Sequence, residues 1–272
     1  MLYRITAAIG FSVALAGPAL TQPVPTSQPA IIDIAREVEK PGHFAAHEQT
    51  EIRWANLNRR SGFPATSLAL VAVSGTPEVW WVSSFSGLGA FGKASTFGGD
   101  VPGYNLALGR IAAEDGEHVT NVIRMQAAAV PEASHGPFPE IGKMRVFSIL
   151  TVQMRQGMEP AFTEIAKRYA SIMRAKGVAA SWRAYSVLSG APSGTFLVFS
   201  SFPSWDAVEA DQKATDAAMA GAAATELEGL MKAAREAVTS TNLRYFNVNP
   251  RMSLVSKELM AADPFWAVKS TP

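Results

Sequence analysis

The sequence predicts an α+β fold made of two tandem ferredoxin-like repeats, each strand–helix–strand–strand–helix–strand, packed sheet to sheet within one chain. Three observations predict it. The first is internal repetition. Residues 32–77 slide onto 147–192 without a gap, and twelve of the 46 aligned pairs are identical. They include Gly42/Gly157, Arg53/Arg168, Arg59/Arg174, Gly62/Gly177, Gly75/Gly190 and Pro77/Pro192. Composition of this kind gives roughly three or four identities by chance. The second is that strand alternation and helical spacing follow in the same order in both halves. The third is geometric: a βαββαβ sheet carries helices on one face only, so its other face needs cover, which a second copy supplies.

The elements follow in order. Met1–Arg4 carries one positive charge, Ile5–Ala16 is apolar and uncharged, and Gly17–Gln22 holds small residues. This reads as a secretory signal peptide, residues 1–21, cut between Ala19 and Gln22. The apolar run is shorter than the ~20 residues that span a bilayer. An N-terminal membrane anchor is the alternative. The expectation is an exported bacterial protein, periplasmic or secreted, with no integral membrane segment after cleavage. Residues 22–30, with the run Pro23–Pro29, read as a disordered spacer.

Repeat 1 is assigned to residues 31–130. Its strands are expected near Ile31–Val38, Ser67–Val73, Glu78–Phe85 and Val119–Ala128, and its first helix over Pro41–Arg60. Six glycines between Gly87 and Gly103 predict a mobile loop in place of a second helix. Such a loop could serve as a lid. The G-x-G-x-x-G of Gly87–Gly92 is not read as a dinucleotide site, because repeat 2 lacks those glycines and the preceding strand pairs antiparallel.

Residues 131–143 form a linker, and repeat 2 is assigned to 144–250. Met144–Met154 is a β-branched, apolar strand. Glu159–Lys176 places Phe162, Ile165, Ala166, Tyr169, Ile172 and Met173 on one helical stripe, stopped by Gly177. Strands Trp182–Leu188 and Thr195–Phe202 flank a Ser/Gly/Pro turn. An Ala-rich helix runs from Ser204 to Val238 with a break near Gly221, and Leu243–Val248 is the last strand. Residues 251–272 are a tail, which Pro264-Phe265-Trp266 is expected to staple to the core.

The 272 residues carry 24 Lys+Arg against 23 Asp+Glu, so no basic surface points to nucleic acid. The absence of Cys excludes disulfides, thiolate metal sites and cysteine nucleophiles. No G-x-S-x-G is present, and all four His (His43, His47, His118, His135) precede residue 144.

The segments Lys40-Pro41-Gly42-His43-Phe44-Ala45-Ala46 and Arg155-Gln156-Gly157-Met158-Glu159-Pro160-Ala161-Phe162 resemble the strand-to-helix junction of the dimeric α+β barrel superfamily. That superfamily includes antibiotic-biosynthesis-type monooxygenases, NIPSNAP-like and EthD-like proteins. The resemblance covers about residues 30–250 at the level of architecture. It implies a pseudo-dimer of two sheets closed face to face, with a ligand pocket inside each half. Members include cofactor-independent monooxygenases, haem-handling proteins and proteins of no known activity, so the resemblance does not choose a function.

The two repeats act as controls for each other. On the first helix, Phe162, Ile165, Tyr169 and Met173 of repeat 2 become His47, Thr50, Trp54 and Asn58 in repeat 1. Buried polar groups must be hydrogen-bonded. Either a ligand pocket under this helix or pairing within the protein would satisfy them. His43 and His47 lie four apart, a spacing that can place two imidazoles on one metal, with Glu51 on the same face. Arg183 and Tyr185 alternate on a strand where repeat 1 has Leu68 and Leu70. An Arg inside a barrel could hold a carboxylate or enolate, and pairing within the protein is the plainer reading.

The ligand-binding candidates are therefore His43, His47, Thr50, Trp54, Arg183 and Tyr185. The leading expectation is an exported small-molecule-binding or structural protein that takes a small apolar or aromatic molecule and has no assigned cofactor or metal. Two alternatives stay open. One is a cofactor-independent monooxygenase-like enzyme with His47 as base and Trp54 as an aromatic wall. The other is a metal or haem binder through His43 and His47. Further association of the pseudo-dimer is left open.

Overall fold

Eight strands close into one antiparallel barrel in the computed structural model, which describes residues 24–267. The export segment expected at residues 1–21 lies outside the described residues. The first half contains β1 (Ile31–Glu39), α1 (Phe44–Ser61), β2 (Ser67–Ala72), β3 (Glu78–Phe85), α2 (Leu88–Ser95), α3 (Tyr104–Asp115) and β4 (Val119–Ala129). The second contains β5 (Val146–Met154), α4 (Ala161–Ala175), β6 (Arg183–Ser189), β7 (Thr195–Phe202), α5 (Trp205–Ala220), α6 (Ala224–Ala237) and β8 (Val238–Leu254). A short α7 (Lys257–Ala262) follows.

Neighbouring strands run β4-β1-β3-β2 in the first half and β8-β5-β7-β6 in the second. Both halves thus have the same ferredoxin-like order, which places the first strand beside the third and fourth. The seams are β2 with β8 and β4 with β6, both antiparallel. Each half's two edge strands are consumed by the other half, so the closed sheet has no free edge. Three aligned glycine pairs also share left-handed backbone: Gly42/Gly157 at φ 81°/82°, Gly62/Gly177 at 73°/68° and Gly75/Gly190 at 78°/85°. The aligned residues occupy equivalent places in the two halves.

Strand alternation fills the lumen. Ile34, Leu70, Trp80, Met125, Ile149, Tyr185, Leu197 and Phe246, one from each strand in chain order, meet in one core. The lumen is a packed interior, and burial of these side chains, at about 25 cal/mol per Å2, is the main force closing it. Trp80 faces the lumen and its neighbour Trp81 faces the helices. The C-terminal segment adds Trp266, which is 1% exposed and donates from Nε1 to the Gly142 carbonyl at 2.8 Å. Residues 24–30, where composition suggests a disordered spacer, have no helix or strand but are tied down. Gln28 Nε2 donates to the Ala184 carbonyl at 3.0 Å, and Val24 packs on the lumen core.

Two features differ from the sequence-based expectation. The glycine-rich stretch after β3 is not a loop, because α2 and α3 occupy it with a break at Phe97–Gly103. Ala90, Phe91 and Ala94 pack on Phe85, Ile31 and Ala65, and that burial outweighs the poor helix propensity of Gly89 and Gly92. The arrangement parallels α5 and α6, which are separated at Gly221–Ala223. The last strand is also far longer than Leu243–Val248. Its first part pairs with β5 and its later part with β2, so it serves both halves in succession. Among the described residues no helix is long and apolar enough to cross a membrane.

The β6–β7 turn is a sensitive point. A Cβ on Gly190 would stand 1.9 Å from the Arg124 carbonyl oxygen, at a φ of +85° that disfavours side chains. Gly190→Ala is expected to lower unfolding free energy by about 1–3 kcal/mol in a urea titration. An unchanged midpoint would contradict this close approach of the turn to β4.

Candidate functional site

The outer face of each half-sheet is covered by helices, and there the two halves diverge. In repeat 2, α4 is apolar toward the sheet, with Phe162 stacked on Phe196 at 4.0 Å between ring centroids. In repeat 1 the matching positions on α1 are polar, yet His47, Thr50 and Asn58 are all fully buried. Their partners come from β1 and α3. His47 Nδ1 lies 3.0 Å from Glu39 Oε1, and Nε2 lies 3.0 Å from Glu37 Oε2 and 3.6 Å from Asp115 Oδ1. Thr50 Oγ1 sits 2.5 Å from Asp115 Oδ1 and 2.7 Å from the His47 carbonyl oxygen. Tyr104 donates from its hydroxyl to Asn58 Oδ1 at 2.7 Å.

Burial by itself would lower the His47 pKa. The hydrogen bonds to Glu37 and Glu39, with the charges of Asp115 and Glu51, outweigh it and raise the pKa to about 10. His47 is therefore an imidazolium at neutral pH, surrounded by carboxyl groups. Glu51, one helical turn further on α1, is 7% exposed and accepts no hydrogen bond from the described residues. Burial first, then the charges of Glu37 and Asp115, hold its pKa well above the usual carboxylate range, against the pull of His47 and Arg124. Donor atoms of Glu37, His47, Glu51 and Asp115 all lie within 4.8 Å of one another.

These carboxyl groups border a cavity of about 460 Å3 between α1, α2, α3 and the sheet. Trp54, Phe63, Trp81, Phe85 and Phe91 supply aromatic walls, and Glu37, Glu51, Asp115 and Arg124 supply charge. Two further lining residues carry buried polar atoms with no hydrogen-bond partner among the described residues, Ser67 Oγ and Trp81 Nε1. A buried donor left unpaired costs about 1–3 kcal/mol. The matching cavity in repeat 2, about 560 Å3, is walled mainly by apolar side chains such as Phe162, Ile165, Val198 and Leu230.

The six expected site residues fall into separate places. Trp54 lines the repeat 1 cavity, whereas His47 and Thr50 are fully buried behind it, against Glu37 and Asp115, which do line it. His43, at the start of α1, turns to His118, with the two Nδ1 atoms 3.2 Å apart. The shared metal expected of His43 and His47 is not supported by this geometry, because His43 pairs with His118 while His47 faces Glu37, Glu39 and Asp115. Arg183 and Tyr185 lie across the sheet, beside a small cavity of about 70 Å3 at one end of the lumen. Arg183 donates to the carbonyls of His135 (2.6 Å), Trp182 (2.6 Å) and Gly136 (2.9 Å), and so anchors the linker. Burial pushes the Tyr185 hydroxyl pKa up.

Sequence reasoning missed Glu37, Glu39, Asp115, Ser67, Trp81 and Arg124. A signal existed for two of the acids. Under the same alignment, Glu37 and Glu39 correspond to Val152 and Met154.

No family model matches the sequence, and no curated protein matches it. Solved structures do match. An anthrone oxidase-like protein superposes with a TM-score of 0.55 at 10% identity, covering 82% of this chain and 93% of its own. A monooxygenase-like protein from Lactobacillus acidophilus NCFM gives 0.52 at 7% identity, covering 85% and 97%. A chlorite dismutase variant from Candidatus Nitrospira defluvii gives 0.51 at 8% identity, covering 83% and 93%. The fold is the dimeric α+β barrel. At these identities the likeness concerns architecture alone.

Haem, which the resemblance allows, suits neither cavity. In repeat 1, Asp33, Glu37, Glu51 and Asp115 line the walls and would repel propionates, and His47 is not among the lining residues. In repeat 2 no histidine is among the lining residues, and burial raises the Tyr169 pKa, which disfavours a phenolate ligand. The repeat 1 arrangement is suited to holding a small molecule with an apolar body and one or two hydrogen-bond acceptors.

Proposed function

We propose that the protein binds a small aromatic molecule bearing a carbonyl or hydroxyl oxygen in the repeat 1 cavity beneath α1. The observation that carries this reading is the pair of unpartnered donors, Ser67 Oγ–H and Trp81 Nε1–H, on residues that line a cavity with aromatic walls. An oxygen acceptor on the ligand would satisfy both, and Trp54, Phe63, Phe85 and Phe91 would enclose its ring. Binding sites of this kind combine apolar walls with a few placed polar groups.

A second reading, a monooxygenase-like enzyme acting on that molecule, is favoured by Glu51. A buried carboxyl with a raised pKa, lining the cavity and free of hydrogen bonds, is equipped to exchange a proton with a ligand. Glu51 takes this role in place of His47, whose nitrogens face Glu37, Glu39 and Asp115. The fold of the monooxygenase-like neighbours supports this reading by analogy only. The internal sequence likeness supports descent of the two halves from one duplicated unit. The N-terminal pattern supports export, which the N-terminal residue of the mature protein would test.

Fluorescence titration with 2-naphthol as probe tests the binding site. Ser67→Ala and Trp81→Phe are each expected to weaken binding about three- to tenfold, the worth of one hydrogen bond. The thermal midpoint should stay level or rise, because an unpaired buried polar atom has been removed. Equal affinity in both variants would remove the support for this site.

A further inference from the structure

We propose that Glu37, His47, Glu51 and Asp115 bind one first-row divalent cation of the manganese, iron(II) or zinc class, with Glu39 as the residue that positions His47. The inference goes beyond the small-molecule reading and does not depend on it.

The geometry is the first argument. The four donor atoms lie within 4.8 Å of one another. Donors on opposite sides of a cation at ~2.0–2.2 Å stand about 4 Å apart, so small side-chain rotations would close the set. The ligands also sit on firm supports. Glu37 projects from β1, His47 and Glu51 lie one turn apart on α1, and Asp115 is the last residue of α3.

The second argument is the orientation of His47. Its Nδ1 faces Glu39 at 3.0 Å, which turns Nε2 toward Glu37 and Asp115. A carboxylate behind one ring nitrogen, with the other aimed at a cluster of donors, is the arrangement that fixes a metal-binding imidazole, and the incoming cation would displace the Nε2 proton to solvent.

The third is independent of that cluster's internal hydrogen bonds. Glu51 is 7% exposed, borders the cavity and accepts no hydrogen bond from the described residues. A buried carboxyl is ordinarily paired, and a cation would complete it. Charge agrees: Glu37, Glu39, Glu51 and Asp115 surround one imidazole, with Arg124 the nearby guanidinium acting on Glu51.

Three carboxylate oxygens and one imidazole define the cation class. Soft copper(I) prefers sulfur, calcium prefers an all-oxygen shell, and manganese, iron(II) and zinc accept mixed oxygen and nitrogen. Repeat 2 has Val152, Phe162 and Ala166 where repeat 1 has Glu37, His47 and Glu51, so the site belongs to repeat 1 alone. Glu37, Glu51 and Asp115 line the cavity, so a bound cation would face it.

The test uses the full chain after chelator treatment. Mn2+ is titrated against it while the free-ion electron paramagnetic resonance signal is followed, and Zn2+ is titrated by calorimetry. The expected result is one cation per chain with a Kd below about 10 μM. Glu51→Gln and Asp115→Asn should each weaken binding at least about tenfold. Glu39→Gln should weaken it about tenfold, the usual worth of a carboxylate behind a metal-bound imidazole, with stoichiometry kept. His43→Gln should leave the affinity unchanged. Absence of saturable one-to-one binding in the unmodified chain overturns the proposal, as does unaltered affinity in folded Glu51→Gln and Asp115→Asn. Manganese anomalous scattering from crystals needs no variant. A peak bonded to these four residues supports the site, and peaks only elsewhere overturn it.

Discussion

Glu78→Gln is expected to lower unfolding free energy by about 3–5 kcal/mol, the cost of breaking a buried ion cluster by removing one partner. The Glu78 side chain has no exposure, and it joins two guanidinium groups. Arg36 Nη2 lies 2.9 Å from Glu78 Oε2, and Arg244 pairs with Oε1. Trp80 Nε1 donates to the same carboxylate at 2.7 Å, while the Arg36 guanidinium sits 4.5 Å over the Trp80 ring. These residues come from β1, β3 and β8, so the cluster ties the first half to the second. Gln would leave two half-buried cations without an anion in a low-dielectric setting. Urea unfolding at pH 7 measures the effect, and a loss under about 1 kcal/mol would show that solvent reaches the cluster freely. A triple apolar replacement of Arg36, Glu78 and Arg244 is expected to cost far less than the single change, because no uncompensated charge remains.

His47→Leu is expected to have a comparable effect, about 3–5 kcal/mol near neutral pH in chelator-treated protein. The imidazolium is the charge that Glu37, Glu39 and Asp115 converge on, and leucine would leave those carboxylates repelling one another. The effect carries a pH signature. The folded-state pKa of about 10 lies above the ordinary 6.5, so the folded chain holds this proton more tightly than the unfolded chain. The resulting stabilisation is fully present below pH 6.5 and is lost as pH rises through about 10. Wild-type minus variant stability should therefore shrink between those limits. Denaturant titrations across this range provide the check, and a difference that grows with pH would contradict the assignment.

Much of the architecture was legible because the chain contains its own comparison. Equivalent strands carry equivalent alternation, and the paired glycines mark equivalent turns, so the sheet order of one half applies to the other. What escaped depends on distant contacts. The helices α2 and α3 form on a glycine-rich stretch because Phe91 and Ala94 find Phe85 and Ala65 to pack on. The length of β8 follows from a second partner, β2, far away in sequence.

The site was legible in part for the same reason. Substituting His47, Thr50 and Trp54 for an apolar stripe singled out one face of α1. Extending that comparison into the strands would have exposed Glu37 and Glu39. Asp115 and Ser67 are different: α3 has no ungapped counterpart, and an unpaired serine hydroxyl is visible only in three dimensions. Arg183 looked available as an anion holder because the carbonyls of residues 135 and 136 that engage it lie in the linker, about 47 positions earlier.

The claim that matters most is that repeat 1, rather than repeat 2 or the lumen, is the binding half. A crystal structure of the full chain soaked with 2-naphthol tests it most directly. The ring is expected between Trp54 and Phe85, with the naphthol oxygen within hydrogen-bond distance of Ser67 Oγ and Trp81 Nε1. Electron density confined to the apolar cavity beneath α4, or to the lumen beside Tyr185, would contradict it.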